Sequence, residues 1–345
     1  MDLRPFTGCL VAAHPCAVSR GGVVKAIVQD RYGSAEVLRF RDVAEPSIGD
    51  HEVLVQVRAV GVDRGAWHFM TGQPYLMRIL GAGLRAPSVP IPGTNIAGRV
   101  HAVGPAVSRF RVGDEVYGAC RGAWAELACA AEEKLAVKPG NLTFEQAAVV
   151  PYAGFAAWQG VHDYGRVAHG QRVLVVGATG AVGGCAAQIA KAAGAEVTGV
   201  CSSRTADLAA VFGLDHVIDY AADDLAGGNG RFDLIIDVFG RTPVTRLRRS
   251  LAPHGRLVIV GGEGDRWIGG VQRQLWASLL SPFVRQKLGT FLVKEHARIL
   301  RELNPLIEKR SVRPVLDRTF PLAEAADAVR YFESGQARGR IALTV

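Results

Sequence analysis

The chain contains 345 residues, more than one hydrophobic core of ordinary size accommodates, so its length favours two domains. Hydrophobic residues make up 49% of the sequence and charged residues 21%, which is ordinary for a soluble globular protein. The formal net charge is +8, but the positive residues are scattered. A polyanionic ligand and a generally basic exterior explain this balance more simply than nucleic-acid binding, which we do not expect.

The cysteines form no C-x-x-C pair and have no histidines at metal-ligand spacing. This usage is typical of small buried residues in a reducing compartment, so we expect a cytoplasmic protein. No apolar run approaches the roughly 20 residues that a membrane-spanning helix needs. The cysteines are Cys9, Cys16, Cys120, Cys129, Cys185 and Cys201.

The first 22 residues, MDLRPFTGCLVAAHPCAVSRGG, are predicted to form a disordered N-terminal extension. Asp2, His14 and Pro15 interrupt every apolar stretch within them, which argues against an export signal. Strand-like runs begin at Val24 and are separated by glycines and prolines at short intervals, as in a compact barrel. These runs are KAIVQD (25–30), EVLVQVRAVGVD (52–63), AGRVHAVG (97–104) and DEVYGA (114–119).

A helical pattern over 145–165 leads into a region in which apolar strands alternate with helices. Strands that are apolar on both faces are typical of a parallel sheet covered by helices on both sides. From Arg313 the pattern returns to strand, helix and strand, so the sequence predicts an α/β protein with a doubly wound domain inserted into a β-rich unit. The predicted strands are 172–177, 196–201, 216–220, 232–238 and 255–262, and the predicted helices are 181–193, 205–212 and 242–251.

The segment GATGAVG (177–183) follows a buried strand and opens a helix, the context in which a glycine-rich turn binds a dinucleotide. Gly177 allows a sharp turn, Gly180 allows backbone amides to approach a pyrophosphate, and Gly183 allows close packing of helix on strand. A plain tight turn is the alternative interpretation. The predicted contact residues are Gly177, Ala178, Thr179, Gly180, Ala181, Val182 and Gly183.

The end of the next strand predicts which dinucleotide is bound. An NAD site usually has Asp or Glu there, whereas this chain reads GVCSSRT (199–205). Ser202 and Ser203 can donate hydrogen bonds, and Arg204 can pair with a 2′-phosphate. Tyr220 can add a hydroxyl group to the same pocket. NADPH is therefore favoured over NADH, unless Arg204 is only a solvated surface charge.

Motifs that share one family pattern are spread over the chain from Val24 to Val345. They are IPGTNIAGRVHAVG (91–104), RFRVGDEVYG (109–118), EQAAVVPYAGFAAWQG (145–160), RVLVVGATGAVG (172–183), HVIDY (216–220), FDLIIDVFG (232–240) and LAPHGRLVIVGG (251–262). In this combination they resemble the medium-chain dehydrogenase/reductase superfamily, and within it the zinc-free quinone oxidoreductases.

The resemblance implies a GroES-like β-rich catalytic domain formed by residues 23–146 and 289–345, with a Rossmann NADP-binding domain inserted at 147–288. It also implies a cofactor cleft between the two domains and a homodimer formed through the Rossmann sheets. The segment Pro151–Trp158 would lie near the nicotinamide. The residues implied to contact the nicotinamide end of the cofactor are Tyr152, Val238, Phe239, Gly240, Val260, Gly261 and Gly262.

Zinc-dependent relatives carry a cysteine after the early strands, a Gly-His-Glu segment and a four-cysteine lobe. The corresponding stretches here are GVDRGAWH (61–68) and GTNIAG (93–98), and no cysteine-rich lobe is present. Asp63, His68 and Cys120 are too irregular a set for zinc, so we expect no metal.

Substrate-contact candidates lie near the predicted cleft. Asp63 can act as an acid if burial raises its pKa, or it can cap a turn. His68 is a candidate for substrate contact, although a lone histidine is more often structural. The phenol of Tyr75 can donate to a carbonyl oxygen, an exposed tyrosine being the equal alternative, and water in the cleft can also supply the proton. Trp67 is either a substrate contact or a core aromatic. Relatives usually have Asn-Pro-x-Asp at 63–66, Asp at Asn95 and Thr at Ala156, so the details of catalysis are where this chain departs from its family.

The stretch 266–295 is longer than a simple connection requires, and its apolar residues fall partly at helical spacing. We interpret it as a helical flap over the cleft that adjoins the dimer edge, and a helix on a membrane surface is the rival interpretation. The predicted function is NADPH-dependent reduction of a quinone or α,β-unsaturated carbonyl compound without zinc. The alternatives are a zinc-free NADP-dependent alcohol dehydrogenase or carbonyl reductase, and a non-catalytic NADPH-binding protein.

Overall fold

The structure is a computed structural model that describes residues 18–221, 231–262 and 264–345. The first strand already begins at Val18, inside the predicted N-terminal extension, whose residues 1–17 lie outside the described residues. The strands are β1 (Val18–Val28), β2 (Arg39–Pro46), β3 (Glu52–Val62), β4 (Asn95–Val103), β5 (Glu115–Ala119), β6 (Leu127–Ala131), β7 (Leu135–Val137), β8 (Arg172–Val176), β9 (Glu196–Cys201), β10 (His216–Asp219), β11 (Phe232–Asp237), β12 (Leu251–Ile259), β13 (Lys287–Thr290), β14 (Leu316–Pro321) and β15 (Arg340–Thr344).

Helices connect and cover these strands. The predicted helix at 145–165 is divided, because Pro151 begins a new helix at the position where its missing N–H costs nothing. The helices are α1 (Arg64–Thr71), α2 (Phe144–Ala148), α3 (Pro151–Trp158), α4 (Ala181–Ala192), α5 (Leu208–Val211), α6 (Val244–Ser250), α7 (Val271–Leu280), α8 (Ala297–Glu308) and α9 (Ala325–Glu333). No helix in the described ranges is both long and apolar enough to cross a lipid bilayer.

The β-rich unit contains a largely antiparallel sheet with the order β14-β15-β3-β4-β5-β7, in which β6 also pairs with β3. Strand β3 alternates buried and exposed residues over Val55–Arg58, as expected for a sheet with one face on a core. The C-terminal strand β15 pairs antiparallel with β3, so both ends of the chain contribute to one sheet. This is the GroES-like unit that the sequence predicts.

The inserted unit contains a parallel sheet with the order β10-β9-β8-β11-β12-β13. Numbered by their position along the chain, the six strands have the order 3-2-1-4-5-6 of a Rossmann fold. All pairs are parallel, and the strand order reverses between β8 and β11. Ligands bind such sheets beyond the carboxyl ends of the strands at this point. The α/β architecture predicted from the sequence is confirmed.

One hydrophobic core runs across the junction of the two units. Ala97 and Tyr117 from the antiparallel sheet pack in the same buried cluster as Val175 of the parallel sheet and Leu300 of α8. The hydroxyl group of Tyr117 donates to Asn304 Oδ1 at 2.6 Å, which satisfies its polar end. The two units are therefore joined by packing that positions the cleft between them.

The stretch 266–295 is only partly helical. Helix α7 ends at Leu280, and Lys287–Thr290 then forms β13, which pairs parallel with β12 at the edge of the Rossmann sheet. The predicted domain boundary at 288/289 thus falls inside β13. The sequence KLGT carries no clear apolar signal, and its strand conformation depends on pairing with a distant strand. Large exposed apolar side chains remain on this stretch, namely Trp267, Ile268, Leu275, Trp276, Leu279, Phe283 and Leu292.

Candidate active site

The turn between β8 and α4 lies at the carboxyl edge of the parallel sheet. Gly177 has φ of +84°, a left-handed conformation that favours glycine, and the amides of Gly177 and Ala178 both donate to Val200 O at 3.0 Å. A Cβ on Gly183 would lie 2.0 Å from Gly177 O, so α4 approaches the strand this closely only because glycine stands there. The segment thus has strand–turn–helix geometry.

The first turn of α4 presents amides to the space beyond the sheet. Its first backbone hydrogen bond runs from Gly184 N to Gly180 O at 2.8 Å, so the amides of Ala181, Val182 and Gly183 precede it. Such amides, together with the positive end of the helix dipole, attract phosphate oxygens. The glycines leave these amides in an open cradle that a Cβ would fill. This cradle fits the pyrophosphate of a dinucleotide.

The turn after β9 is tied to the glycine turn by hydroxyl groups. Thr205 Oγ1 lies 2.9 Å from Thr179 Oγ1 and 3.2 Å from Ser202 Oγ. Arg204 is exposed in this turn, and its Nη2 donates to Gly335 O. These contacts place several hydroxyl groups beside the glycine turn, whereas the Arg204 guanidinium contacts the backbone at Gly335.

The acidic residues that follow this turn in sequence are engaged elsewhere. The carboxylate of Asp207 pairs with Arg338, and Asp219 Oδ1 accepts from Ala221 N at 3.0 Å. Ser203 is exposed beside the arginine of the turn. The neighbouring Tyr220 is 57% exposed, and its ring centroid is 6.4 Å from that of Phe239 at a small interplanar angle of 25°.

The segments 238–240 and 260–262 leave neighbouring strands at the same edge. A Cβ on Gly261 would lie 2.3 Å from Val238 O, so the two segments approach closely. Gly240 has φ of +77°. Both segments therefore extend beyond the carboxyl ends of β11 and β12, where the resemblance places the nicotinamide end of a cofactor.

A cavity of about 460 Å³ separates the GroES-like domain from the Rossmann domain. Helix α1 contributes Arg64, Trp67 and His68, which share one helix face because they are spaced i, i+3 and i+4. Gly240 and Gly262 form part of the opposite wall. The remaining lining residues are Gln73, Pro74, Arg241, Gly264, Asp265, Arg266, Gly269 and Arg273.

His68 is the predicted catalytic residue that lies in this wall. Its Nδ1 is 2.6 Å from Gln73 O, and a carbonyl oxygen only accepts, so Nδ1 carries a hydrogen. The ring also makes an edge contact with Trp67, at 5.2 Å between centroids. The indole Nε1 of Trp67 in turn donates to Glu333 Oε1 at 2.7 Å, so the histidine is held by its surroundings.

Tyr75 belongs to a contact between the two domains beside the cavity. Its amide donates to Arg266 O at 2.8 Å, and the amide of Leu76 donates to Trp267 O at 2.9 Å. The ring of Tyr75 packs edge-on against Trp267 at 5.2 Å. We call these paired segments, 75–76 and 266–267, the interdomain clasp. The structure does not bring Tyr75 into the cavity wall.

Asp63 lies at the N-terminus of α1 and outside the cavity wall. Its Oδ1 accepts from Ala66 N at 2.8 Å, and its Oδ2 accepts from Nδ2 of Asn95. Asn95 Oδ1 accepts from the amide of Tyr152 at 3.0 Å, which links this pair to the start of α3. Burial raises the pKa of Asp63 to about 6, although the Ala66 amide lowers it. The capping interpretation of Asp63 describes what the structure shows.

Two family models match the chain, the alcohol dehydrogenase GroES-like domain over residues 49–159 and the zinc-binding dehydrogenase over residues 212–343. The quinone oxidoreductase of Mus musculus is 30% identical to this chain over 319 residues, which cover 89% of this chain and 93% of that protein. The chain belongs to the medium-chain dehydrogenase/reductase superfamily. The resemblance predicted from the sequence motifs is thus confirmed.

Two further known proteins are similar to this chain and indicate where it belongs within the superfamily. The 2-methylene-furan-3-one reductase of Solanum lycopersicum is 28% identical over 342 residues, covering 95% of this chain and 80% of that protein. The solved structure of the quinone oxidoreductase from Coxiella burnetii has a TM-score of 0.82 and 25% identity, and the match covers 94% of this chain and all of that one (100%). The chain is therefore quinone-oxidoreductase-like, and it is an oxidoreductase.

One of the two matching family models is that of zinc-binding dehydrogenases. A zinc site in this chain would need three or four Cys, His or carboxylate ligands close together. No three His, Cys, Asp or Glu side chains in the described ranges come together as a possible metal site. Cys120 is buried and belongs to no such group, and burial raises the pKa of its thiol to about 12. Asp63 is held by Asn95 and Ala66. Within the part of the chain that the structure describes, the side chains do not form a set that fits zinc.

Sequence reasoning missed three charged residues around the cleft. Arg340 Nη2 donates to Ala181 O at 2.6 Å, which ties β15 to the first residue of α4. Asp237, at the end of β11, pairs with Arg273 of α7. Each of these contacts joins residues far apart in sequence, and no motif signals them. The strand FDLIID carries two aspartates, and the one at its carboxyl end, Asp237, was the available hint.

Proposed function

We propose that this superfamily member is an NADPH-dependent reductase of quinones or α,β-unsaturated carbonyl compounds that works without zinc. The observation that carries the proposal is the cavity between the domains. One wall is formed by Gly240 and Gly262 at the cofactor edge of the Rossmann sheet, and the other by the polar face of α1. The names of the mouse and tomato relatives support the substrate class.

The preference for NADPH is supported by the turn after β9. Ser202, Ser203 and Arg204 offer donors there, and the carboxylate of Asp207 is paired with Arg338. A guanidinium group binds a phosphate through charge-assisted hydrogen bonds, whereas a ribose 2′-hydroxyl is usually bound by a carboxylate. The turn therefore favours the phosphorylated cofactor.

The chemistry follows from positioning. When bound, the reduced nicotinamide supplies a hydride that attacks an electrophilic carbon conjugated to a carbonyl group. The glycine turn would hold the cofactor, and segments 238–240 and 260–262 would orient its nicotinamide end beside the cavity. Holding two reactants together and excluding water accounts for much of the catalysis in such a site.

His68 is the proton donor that we propose for the carbonyl oxygen. Because Nδ1 donates to Gln73 O, proton delivery to a substrate must come from Nε2, and that nitrogen carries a hydrogen only in the imidazolium form. Water entering the cleft is the alternative proton source. We do not propose Asp63 for this step, because its carboxylate is hydrogen-bonded at the N-terminus of α1.

The test is NADPH oxidation by the purified full chain with a quinone, an enone and an aldehyde, each with and without a chelator. We expect turnover with the quinone or the enone that the chelator does not change. Turnover with the aldehyde alone would favour a carbonyl reductase, and loss of activity with the chelator would contradict zinc independence. Tight cofactor binding without turnover of any acceptor would favour a non-catalytic NADPH-binding protein.

We also propose a homodimer in the cytoplasm. Strand β13 is the outer strand of the Rossmann sheet, and α7 beside it carries exposed Leu275, Trp276 and Leu279. An exposed apolar surface of this kind is typical of a protein–protein contact. Light scattering should give twice the chain mass, and a monomer would contradict the proposal. Co-sedimentation with anionic vesicles would instead support peripheral membrane contact.

A further inference from the structure

Asp237 and Arg273 form a buried ion pair at the cofactor edge of the Rossmann sheet. Asp237 is the last residue of β11 and is 0% exposed, and Nη2 of Arg273 donates to its Oδ2 at 2.7 Å. The same nitrogen donates to Thr242 O. Arg273 lies in the first turn of α7 and lines the cavity. A charged side chain of α7 thus reaches the end of a central strand.

Asp237 contacts both segments that lead to the nicotinamide end of the cleft. Its Oδ1 accepts from Gly240 N at 3.1 Å. Its backbone oxygen accepts from Val260 N at 2.9 Å and from Gly261 N at 3.4 Å. A single residue therefore fixes the position of segment 238–240 relative to segment 260–262, and Arg273 fixes the side chain of that residue.

The ion pair is a poor source of net stability. Burial raises the pKa of Asp237, and Arg273 offsets only part of that effect. Within the described ranges, Nε and Nη1 of Arg273 are buried without a hydrogen-bond acceptor. Buried donors without acceptors cost free energy, and buried ion pairs often contribute little net stability even when they are fully hydrogen-bonded. A positional role accounts for this arrangement better than a stabilising one.

Arg273 is also connected to the interdomain clasp. Its amide donates to Gly270 O at 3.1 Å, and a Cβ on the preceding Gly269 would lie 3.2 Å from Cγ of Pro74 in the GroES-like domain. The amide of Tyr75 donates to Arg266 O in the same contact. One continuous set of contacts therefore runs from the GroES-like domain through the start of α7 to the two cofactor segments.

We infer that Arg273 is a positioning residue for the nicotinamide half of the cofactor, acting through Asp237 on segments 238–240 and 260–262. The inference rests on the proposed function, because it presumes a nicotinamide cofactor in this cleft. Arg273 does not need to touch the cofactor. Its effect should be confined to ligands that contain the nicotinamide riboside, since the glycine turn and the turn after β9 bind the other half.

The test compares dissociation constants for NADPH and for 2′-phospho-ADP-ribose, which lacks the nicotinamide. For Arg273→Gln we expect about tenfold weaker NADPH binding and less than about twofold change for 2′-phospho-ADP-ribose, because an unpaired buried carboxylate disturbs only the adjacent segments. Arg273→Lys keeps the charge and should restore most of the NADPH affinity. Arg249→Gln, at an exposed position of α6, should change neither constant.

The double variant Asp237→Asn/Arg273→Gln keeps the test informative if Arg273→Gln folds poorly. It leaves no unpaired carboxylate, so it should fold, and it should bind NADPH more tightly than Arg273→Gln does. Equal weakening of both ligands, or wild-type NADPH affinity in Arg273→Gln, would overturn the inference while leaving the proposed function standing. If the wild type binds neither ligand, the proposed function itself fails and the inference with it.

Discussion

Asn95 donates from its amide nitrogen to the partly buried carboxylate of Asp63, and it does so from the first residue of β4, while Asp63 directly follows the neighbouring strand β3. The oxygen of the same amide accepts from the backbone of Tyr152, the second residue of α3. Burial raises the pKa of the Tyr152 phenol to about 12, and the carboxylate of Asp63 contributes to this rise. The pair thus connects the start of α1 to the helix that leads into the Rossmann domain.

The raised pKa of Asp63 predicts a pH dependence of stability. The folded-state pKa is about 6 against 3.8 for the free side chain, so the folded chain binds this proton more tightly than the unfolded chain does. The free energy of unfolding should therefore fall as pH rises from about 4 to 6, by up to roughly 3 kcal/mol. Urea unfolding across this range would measure the fall.

Asp63→Asn should remove this contribution, because the amide oxygen can still accept from Ala66 N while no charge forms. Asp50→Asn, at an exposed position, is the matched control and should retain the wild-type slope. An unchanged slope in Asp63→Asn would assign the pH dependence to another group.

Gly183→Ala should weaken cofactor binding. The added Cβ would lie 2.0 Å from Gly177 O, a backbone atom that can move only if the turn changes shape. We expect the NADPH dissociation constant to rise by about tenfold or more, since the strain falls on the amides that face the phosphates. Gly140→Ala is the control, because its Cβ meets nothing within 4 Å. Equal NADPH affinity in both variants would show that the cofactor does not use this turn.

Arg204→Ala should change the choice between NADPH and NADH. Removing a charge-assisted contact to the 2′-phosphate is expected to weaken NADPH binding by about tenfold and to leave NADH binding unchanged. Fluorescence titration with both cofactors gives the two constants, and Arg249→Ala serves as a control of equal charge change. A wild-type preference for NADH would contradict the assignment.

His68→Gln should separate catalysis from cofactor binding. The loss of the proposed proton donor is expected to lower kcat/KM by about ten- to a hundredfold, while the NADPH dissociation constant stays at the wild-type value. His101→Gln, at an exposed position of β4, should behave as the wild type does. If kcat/KM is unchanged in His68→Gln, solvent delivers the proton and His68 only supports the loop at Gln73.

The parts of this site that are formed by residues close together in the sequence could be predicted. The parts that are formed by residues far apart in the sequence could not. The glycine turn follows from a strand, three glycines and a helix within a single short segment. The contacts of Asp63 with Asn95 and of Asp237 with Arg273 join residues on separate elements, and periodicity carries no signal for such pairs. His68 lies near the cavity because α1 presents one face to it, whereas Tyr75 is turned away by its pairing with Arg266.

The sequence also failed to predict that the helix at 145–165 is divided into α2 and α3. Pro151 is visible in the sequence, but a run of alanines around it favours a continuous helix by propensity. The structure ends α2 at Ala148 and restarts at Pro151, with the amide of Tyr152 turned to Asn95. Pro151 begins the new helix, and a contact with another strand supplies an acceptor for the amide that follows it.

The interdomain clasp has a kinetic consequence. While the amides of Tyr75 and Leu76 remain bonded to Arg266 and Trp267, the two lobes cannot swing apart on that side. The two domains can open widely on that side only if both hydrogen bonds break. If the rest of the cleft entrance is too narrow for the oxidised cofactor, its release would depend on this opening. Two main-chain hydrogen bonds contribute only about 1 to 3 kcal/mol together, so the clasp slows opening on that side modestly and does not prevent it.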